Sequence, residues 1–336
     1  MVLGQFLPES TLVYLVVIAA TTGMIWFGSG WLESAAEQLS RYYGLPAVVQ
    51  GSIVVAVGSS VPELASVVIT ALDGSFGMGV GAVVGSAIFN VLVIPALSGI
   101  ATDGRLQGSQ FYMLAVSALV ITFALAIIYF PDDGGTAFEG YATRPLALIP
   151  PLLYGLYLFT QWQDMEDHES DGAGADAAVG REWGRLAVGL FVILVAVELL
   201  VGSVKGLNAT FGVNEFLAGA TVIAAATSLP DALVSVRAAR GGKGVTSLGN
   251  VLGSNTFDLL VAIPFGVLVA GSAPVSFFIA APMMGVLTLA TILLFTALRT
   301  DLSLSGTESY ALLAAYVVFA GWVVGEVVGV FGLIRV

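Results

Sequence analysis

The chain of 336 residues has no cysteine, a single histidine and little charge, with only 10% of its residues Asp, Glu, Lys or Arg. The missing cysteine excludes disulfides and thiolate chemistry. So little charge excludes a soluble domain, which needs far more to cover its surface. No basic n-region followed by a cleavage site precedes the first apolar run, so no secretory signal peptide is expected. The alternating pattern of a membrane β-barrel is also missing.

What the chain does have is apolar length. Hydrophobic residues make up 57% of it, and the mean hydropathy is +0.97. Runs of about 20 apolar residues, enough for a helix to cross about 30 Å of hydrocarbon, recur along the sequence. They fall at about 11–31, 45–72, 78–100, 108–130, 145–162, 184–206, 214–239, 245–271, 274–298 and 309–333. The expected fold class is an all-α polytopic membrane protein with ten transmembrane helices.

Lysine and arginine positions suggest how the chain lies in the membrane. With an external N-terminus, the inner side holds Arg41, Arg105, Arg181, Arg185, Arg237, Arg240, Lys243 and Arg299, and the outer side holds Arg144, Lys205 and Arg335. This predicts a cell-membrane protein with both termini extracellular and the middle loop cytoplasmic. Net charge is −12, and much of the acid lies in "DMEDHESDGAGADAAVG", Asp164 to Gly180. That segment reads as a solvated linker. It lacks the ligand spacing and turn glycine of an EF-hand loop, and His168 within it has no assigned role. The expected organisation is a first unit at 1–162, an acidic linker at 163–182 and a second unit at 183–336.

The two units are related. Shifted by 168 residues, "GLPAVVQGSIVVAVGSSVPE" lies over "GVNEFLAGATVIAAATSLPD", and "GAVVGSAIFNVLV" lies over "GNVLGSNTFDLLV". About 15 of 50 aligned positions are identical. Each copy holds five apolar runs, and an odd number of crossings inserts the second copy upside down. Inverted repeats of this kind are an architecture of secondary transporters, with binding at the midplane where the halves meet.

Each copy concentrates oxygen ligands. Pro62 and Pro230 remove the donors that would satisfy the carbonyls of Gly58 and Ala226. Beside them stand Ser59 and Ser60 with Glu63, and Thr227 and Ser228 with Asp231. The later signature adds Ser86 and Asn90 in one copy and Ser254 and Asp258 in the other, each pair on one helix face by its spacing. These are hard oxygen donors, suited to Na⁺, K⁺ or Ca²⁺. Glycines at 79, 81, 85, 249 and 253 let helices approach closely, which packing alone would explain. Acids buried in a membrane are costly and mark function, so Glu63, Asp231 and Asp258 stand out. Glu198 and Glu326 have no counterpart in the other half and read as packing or entrance groups. Three carboxylates carry −3, which three Na⁺ neutralise, as do one Ca²⁺ with one K⁺ or with one protonated acid. Exchange of a divalent ion for monovalent ions fits that balance.

At these residues the chain resembles the calcium/cation antiporter superfamily, the sodium/calcium exchangers in particular. The resemblance covers 45–100 and 213–268. It implies ten helices in two inverted halves, with ions held between the second, third, seventh and eighth. It further implies Glu63 and Asp231 as central ligands and Asn90 and Asp258 as their partners. Ser59, Ser60, Thr227, Ser228, Ser86 and Ser254 would supply hydroxyls, and Ala56 and Ala224 backbone carbonyls. Archaeal exchangers of this type commonly carry a glutamate in both proline motifs and "GSN" in both later ones. Asp231 and "GSAIFN" depart from that pattern. "TSLPD" followed by "GSNTFD" is similar to the potassium-dependent branch, though the same aspartate occurs in potassium-independent archaeal relatives. The long regulatory loop of animal exchangers is missing.

The expectation is therefore an antiporter, not an enzyme. It would exchange Na⁺ for Ca²⁺ by alternating access, with use of K⁺ or H⁺ left open. It would need no cofactor, no nucleic acid and no obligate protein partner beyond membrane lipid. An H⁺/Ca²⁺ antiporter on the same fold is the nearest alternative, disfavoured because proton-coupled relatives usually carry a "GNxxE" signature instead of "SSVPE". An intramembrane aspartyl protease with Asp231 and Asp258 as its dyad lacks the flanking Tyr-Asp and Gly-x-Gly-Asp motifs. A channel is disfavoured by so charged a buried site.

Overall fold

The computed structural model describes residues 3–4, 7–44, 56–101, 109–129, 138–163, 179–242, 244–299 and 303–332. The first part of the 45–72 run, most of the acidic linker and His168 lie outside the described residues.

Among the described residues, the apolar runs fold largely as helices. In chain order they are α1 (Thr11–Tyr42), α2 (Val61–Leu72), α3 (Phe76–Ala101), α4 (Ser109–Tyr129), α5 (Ile149–Gln163) and α6 (Val179–Phe211). Then come α7 (Glu215–Arg240), α8 (Ser247–Ala270), α9 (Phe277–Arg299) and α10 (Gly306–Val327). Among the described residues, seven of these (α1, α3, α6 to α10) are long and apolar enough to cross a membrane, while α2 and part of α4 are shorter apolar helices. The outer surface carries large apolar side chains such as Leu152, Val318, Leu289 and Phe191, each two-thirds exposed or more. Such a surface suits lipid. This is a membrane protein.

Several boundaries differ from the sequence expectation. Helix α1 continues past residue 31 to Tyr42, because "LESAAEQLSRY" is a good helix former although it is not lipid-like. Its end is held by the Glu37–Arg41 ion pair. The 145–162 run splits into a single turn at Arg144–Ala147 and α5. Pro150 and Pro151 cannot donate to the carbonyls of Leu146 and Ala147, so the helix restarts there. The 274–298 run begins as a strand. Ser272–Ser276 pairs antiparallel with Glu139–Thr143, with Tyr141 opposite Pro274. This two-stranded ribbon ties the segment before α5 to the segment before α9.

Helix α3 is the axis of the molecule. Of its most apolar window, 89% is buried, against 22% for α1. It can be so enclosed because glycine replaces side chains where other backbones cross. A Cβ on Gly81 would meet the Phe216 carbonyl oxygen, one on Gly85 that of Ala220, and one on Gly219 that of Met78. The glycines of α3 thus bring it backbone to backbone with α7, across the two halves.

Candidate cation site

The two motif copies meet around α3. A single helical turn, Ala56–Ser59, precedes α2, and the chain breaks at Ser60, with φ −88° and ψ 4°. Pro62 and Glu63 then lie in the first turn of α2, where a missing proline donor costs nothing. Pro62 was expected inside a continuous helix, freeing the Gly58 carbonyl. The structure instead restarts the helix.

The second copy is built differently. Pro230 stays inside the helical segment Ala224–Arg240, which follows a π-turn at Gly219–Ile223. Asp258 opens a second π-turn, Asp258–Ala262, just before Pro264. Such bulges recur at functional sites, because they turn side chains and carbonyls off the helical register.

The side chains cross between the copies. Ser59 Oγ lies 2.7 Å from Ser254 Oγ, and Ser60 Oγ donates to the Ser254 carbonyl at 3.4 Å. Ser228 Oγ donates to Ser86 Oγ at 2.7 Å, and Ser86 Oγ donates to Glu63 Oε1 at 3.3 Å. Thr227 stands beside Glu63, and its Oγ1 also donates to the carbonyls of Ile223 and Ala224 at 3.2 and 3.3 Å. Ser60 stands beside Asp258. Asn90 Nδ2 donates to Asn255 Oδ1 at 2.9 Å. Glu63, Asn90 and Asp258 are each 1% exposed, and Asp231 is 4% exposed.

Every side chain predicted for the site except that of Ala56, which is not described, is therefore buried here. The Ala224 carbonyl is engaged by Thr227. Glu198 and Glu326 lie apart: the first accepts from the Leu3 backbone N–H at 2.9 Å, the second from Trp322 Nε1 at 3.1 Å.

Three buried oxygens in this region have no hydrogen-bond partner: Glu63 Oε2, Asn90 Oδ1 and Asp258 Oδ1. An ionised carboxylate and an amide oxygen can only accept. Buried acceptors of this kind need a donor or a cation. Among the described residues, no three Asp, Glu, His or Cys side chains gather closely enough to hold a metal by themselves. Any cation held here would be shared between carboxylates, hydroxyls and amides. That mixture suits hard ions that shed and regain water easily.

Two residues escaped the sequence reading. Glu33 on α1 lies against Gly58, where an added Cβ would sit 3.6 Å from its Cγ, and within electrostatic reach of Asp231. The predicted run stopped two residues short of it. Asn255 is fully buried and donates from Nδ2 to the Ala87 carbonyl at 3.2 Å. Its signal was the difference between "GSA" and "GSN" in the aligned copies.

A helical membrane protein, doubled in sequence, whose two copies bring buried oxygens together among the described residues fits a class: the ion transporters. The profile of the sodium/calcium exchanger protein family matches residues 13–163 and 182–325. The chain belongs to that family, whose members are transporters and not enzymes. It is 28% identical over 244 residues to the uncharacterized membrane protein MJ0091 of Methanocaldococcus jannaschii, covering 72% of this chain and 78% of that one. It is 25% identical over 329 residues to the sodium/calcium exchanger MaX1 of Methanosarcina acetivorans, covering 87% and 93%. A solved structure of the sodium-calcium exchanger NCX_Mj, soaked with 10 mM Na⁺ and zero Ca²⁺, superposes with a TM-score of 0.65. That match has 22% identity over 93% of this chain and 99% of that one, and it establishes the common fold.

Proposed function

We propose that the protein is an antiporter that exchanges Na⁺ for Ca²⁺ at one site between its two motif copies. The observation that carries this reading is the set of unpartnered acceptor oxygens on Glu63, Asn90 and Asp258. In this reading Glu63 and Asp231 are the central ligands, and Asn90 and Asp258 flank them. Ser59, Ser60, Ser86, Thr227, Ser228 and Ser254 supply hydroxyls, and Ala56 and Ala224 supply carbonyls. The hydroxyls now bonded to one another across the copies would turn their oxygens to an arriving ion.

The reading includes ten crossings in two inverted units, 1–162 and 183–336, joined by a cytoplasmic acidic linker, with both termini outside. Access alternates between the two sides. The doubled sequence and the arginine and lysine distribution support this arrangement. Ca²⁺ alone leaves one of the three carboxylate charges uncompensated, a balance that either K⁺ or protonation of one acid would restore. No resident cofactor is required.

The test is ⁴⁵Ca²⁺ uptake into proteoliposomes under outward gradients of Na⁺, of Na⁺ plus K⁺, or of H⁺. Uptake is expected with Na⁺. Full uptake driven by a pH gradient alone, indifferent to Na⁺, would establish the proton-coupled alternative instead.

A further inference from the structure

We propose that Asn255 is a positioning residue that fixes which end of the Asn90 amide faces the cation site. The inference rests on the reading of Asn90 as a ligand. It begins at the Ala87 carbonyl, which can only accept. Asn255 therefore presents its NH₂ there, at 3.2 Å, with the Tyr112 hydroxyl at 3.5 Å from the same nitrogen. That choice turns Asn255 Oδ1 the other way. The group it meets is Asn90, which must then give its own NH₂, at 2.9 Å. Asn90 Oδ1 is left buried and free of any hydrogen bond. Both hydrogen-bonding ends of Asn255 are thus engaged within the protein, which suits it to supporting a ligand.

The aligned copies explain why one half carries this device and the other does not. Asn90 corresponds to Asp258, and Asn255 to Ala87. A half-turn about its last bond leaves a carboxylate unchanged. The same half-turn in an amide replaces an acceptor with two donors, which repel a cation. An amide ligand needs a neighbour that forbids the turn, whereas a carboxylate ligand needs none. The asparagine at 255 stands where it steadies the amide, and alanine stands at the position that would serve the acid.

The experiment is a double-mutant cycle on Na⁺-driven ⁴⁵Ca²⁺ uptake in proteoliposomes, reading KM for Ca²⁺ and maximal rate. Asn255→Ala is expected to raise KM about tenfold or more, the scale of losing a partner that orients a ligand, with a smaller change in rate. In an Asn90→Asp background the same substitution should move KM by less than about threefold, since an aspartate has no wrong end. Equal shifts in both backgrounds, or no shift in either, would overturn the proposal. Should the alanine variant fail to fold, Asn255→Ser is read in the same way, because serine cannot reach both partners. Asn90→Ala separates the two levels. If it leaves KM unchanged, Asn90 is no ligand and the underlying reading fails. If it raises KM while Asn255→Ala does not, only the positioning role fails.

Discussion

The two motif copies share a signature and differ in how the backbone delivers it. In the first, the chain breaks at Ser60 and restarts at Pro62, so Glu63 sits at a helix start. In the second, Pro230 and Asp231 lie within a continuing helix. Asn90 occupies a regular α-helix, whereas Asp258 opens a π-turn. Duplicated sequence therefore does not mean duplicated geometry. What the copies keep in common is the chemistry, a carboxylate flanked by hydroxyls. What they vary is the amide and the acid on the neighbouring helices.

The largest effect should come from the part they share. Glu63→Gln and Asp231→Asn should each reduce Na⁺-driven Ca²⁺ uptake to the level of empty vesicles. Each removes a ligand and a unit of charge, and relieves a burial cost on the order of several kcal/mol. Thermal stability in detergent should stay the same or rise. If either variant still exchanges ions, the copies are not equivalent and the site is built mainly from one of them.

The next effect bears on what they do not share. Asp258→Asn gives both copies an amide. Ca²⁺ uptake should persist with altered affinity, while any K⁺ stimulation disappears and Na⁺ coupling weakens. The measurement is flux against K⁺ and Na⁺ in both proteins. Wild-type flux indifferent to K⁺ would mean that the aspartate serves another purpose.

A third comparison is steric. Gly81 and Gly249 are counterparts, yet a Cβ at 81 would strike the Phe216 carbonyl, while one at 249 meets nothing within 4 Å. Gly81→Ala should destabilise by about 1–3 kcal/mol through overpacking. Gly249→Ala should be neutral, or stabilising by up to about 1 kcal/mol from helix propensity. Melting in detergent checks both, and similar shifts would mean that α3 is not enclosed in the way described.

The smallest effect lies at the end of α2. Asp73 pairs with Lys205 of α6, and Ser75 Oγ lies 3.4 Å from the same ammonium. Burial pushes the Asp73 carboxyl up, but positive groups, the Lys205 hydrogen bond and charge foremost among them, together hold it below the usual carboxylate range. A depressed folded value contributes stability above the unfolded pKa, and that stability is lost as pH falls through the folded one. Lys205→Met should therefore lower stability near neutral pH by about 0.2–1 kcal/mol and less in acid. An equal loss at every pH would assign the effect to packing.

The sequence told unequal amounts about these features. Hydropathy located the seven long apolar helices found among the described residues, because lipid demands long apolar runs. It missed the far end of α1, where the helix continues in residues that lipid does not require, and with it Glu33. It missed the ribbon, whose strands Glu139–Thr143 and Ser272–Ser276 are five residues each, too short for their alternation to stand out beside the long apolar runs. The doubled motif pointed to the buried oxygens, since nothing else explains acids in such runs. Asn255 stayed hidden because its role depends on a carbonyl and an amide in the other copy, and only the folded chain brings them within reach.

The burial of α3 also sets a timetable for making the protein. Asn90 and the amide that steadies it are 165 residues apart in the chain. At synthesis rates of roughly 5–20 residues per second, the first waits on the order of 8–30 s for the second. During that interval α3 is apolar enough to leave the translocation channel, but Asn90 still lacks Asn255, and Ser86, though Glu63 is at hand, still lacks Ser228. Helices α7 and α8 must arrive before its polar stripe can be closed over. A ribosome stalled in the acidic linker would leave a half-protein with a wet seam facing lipid, a natural target for membrane quality control.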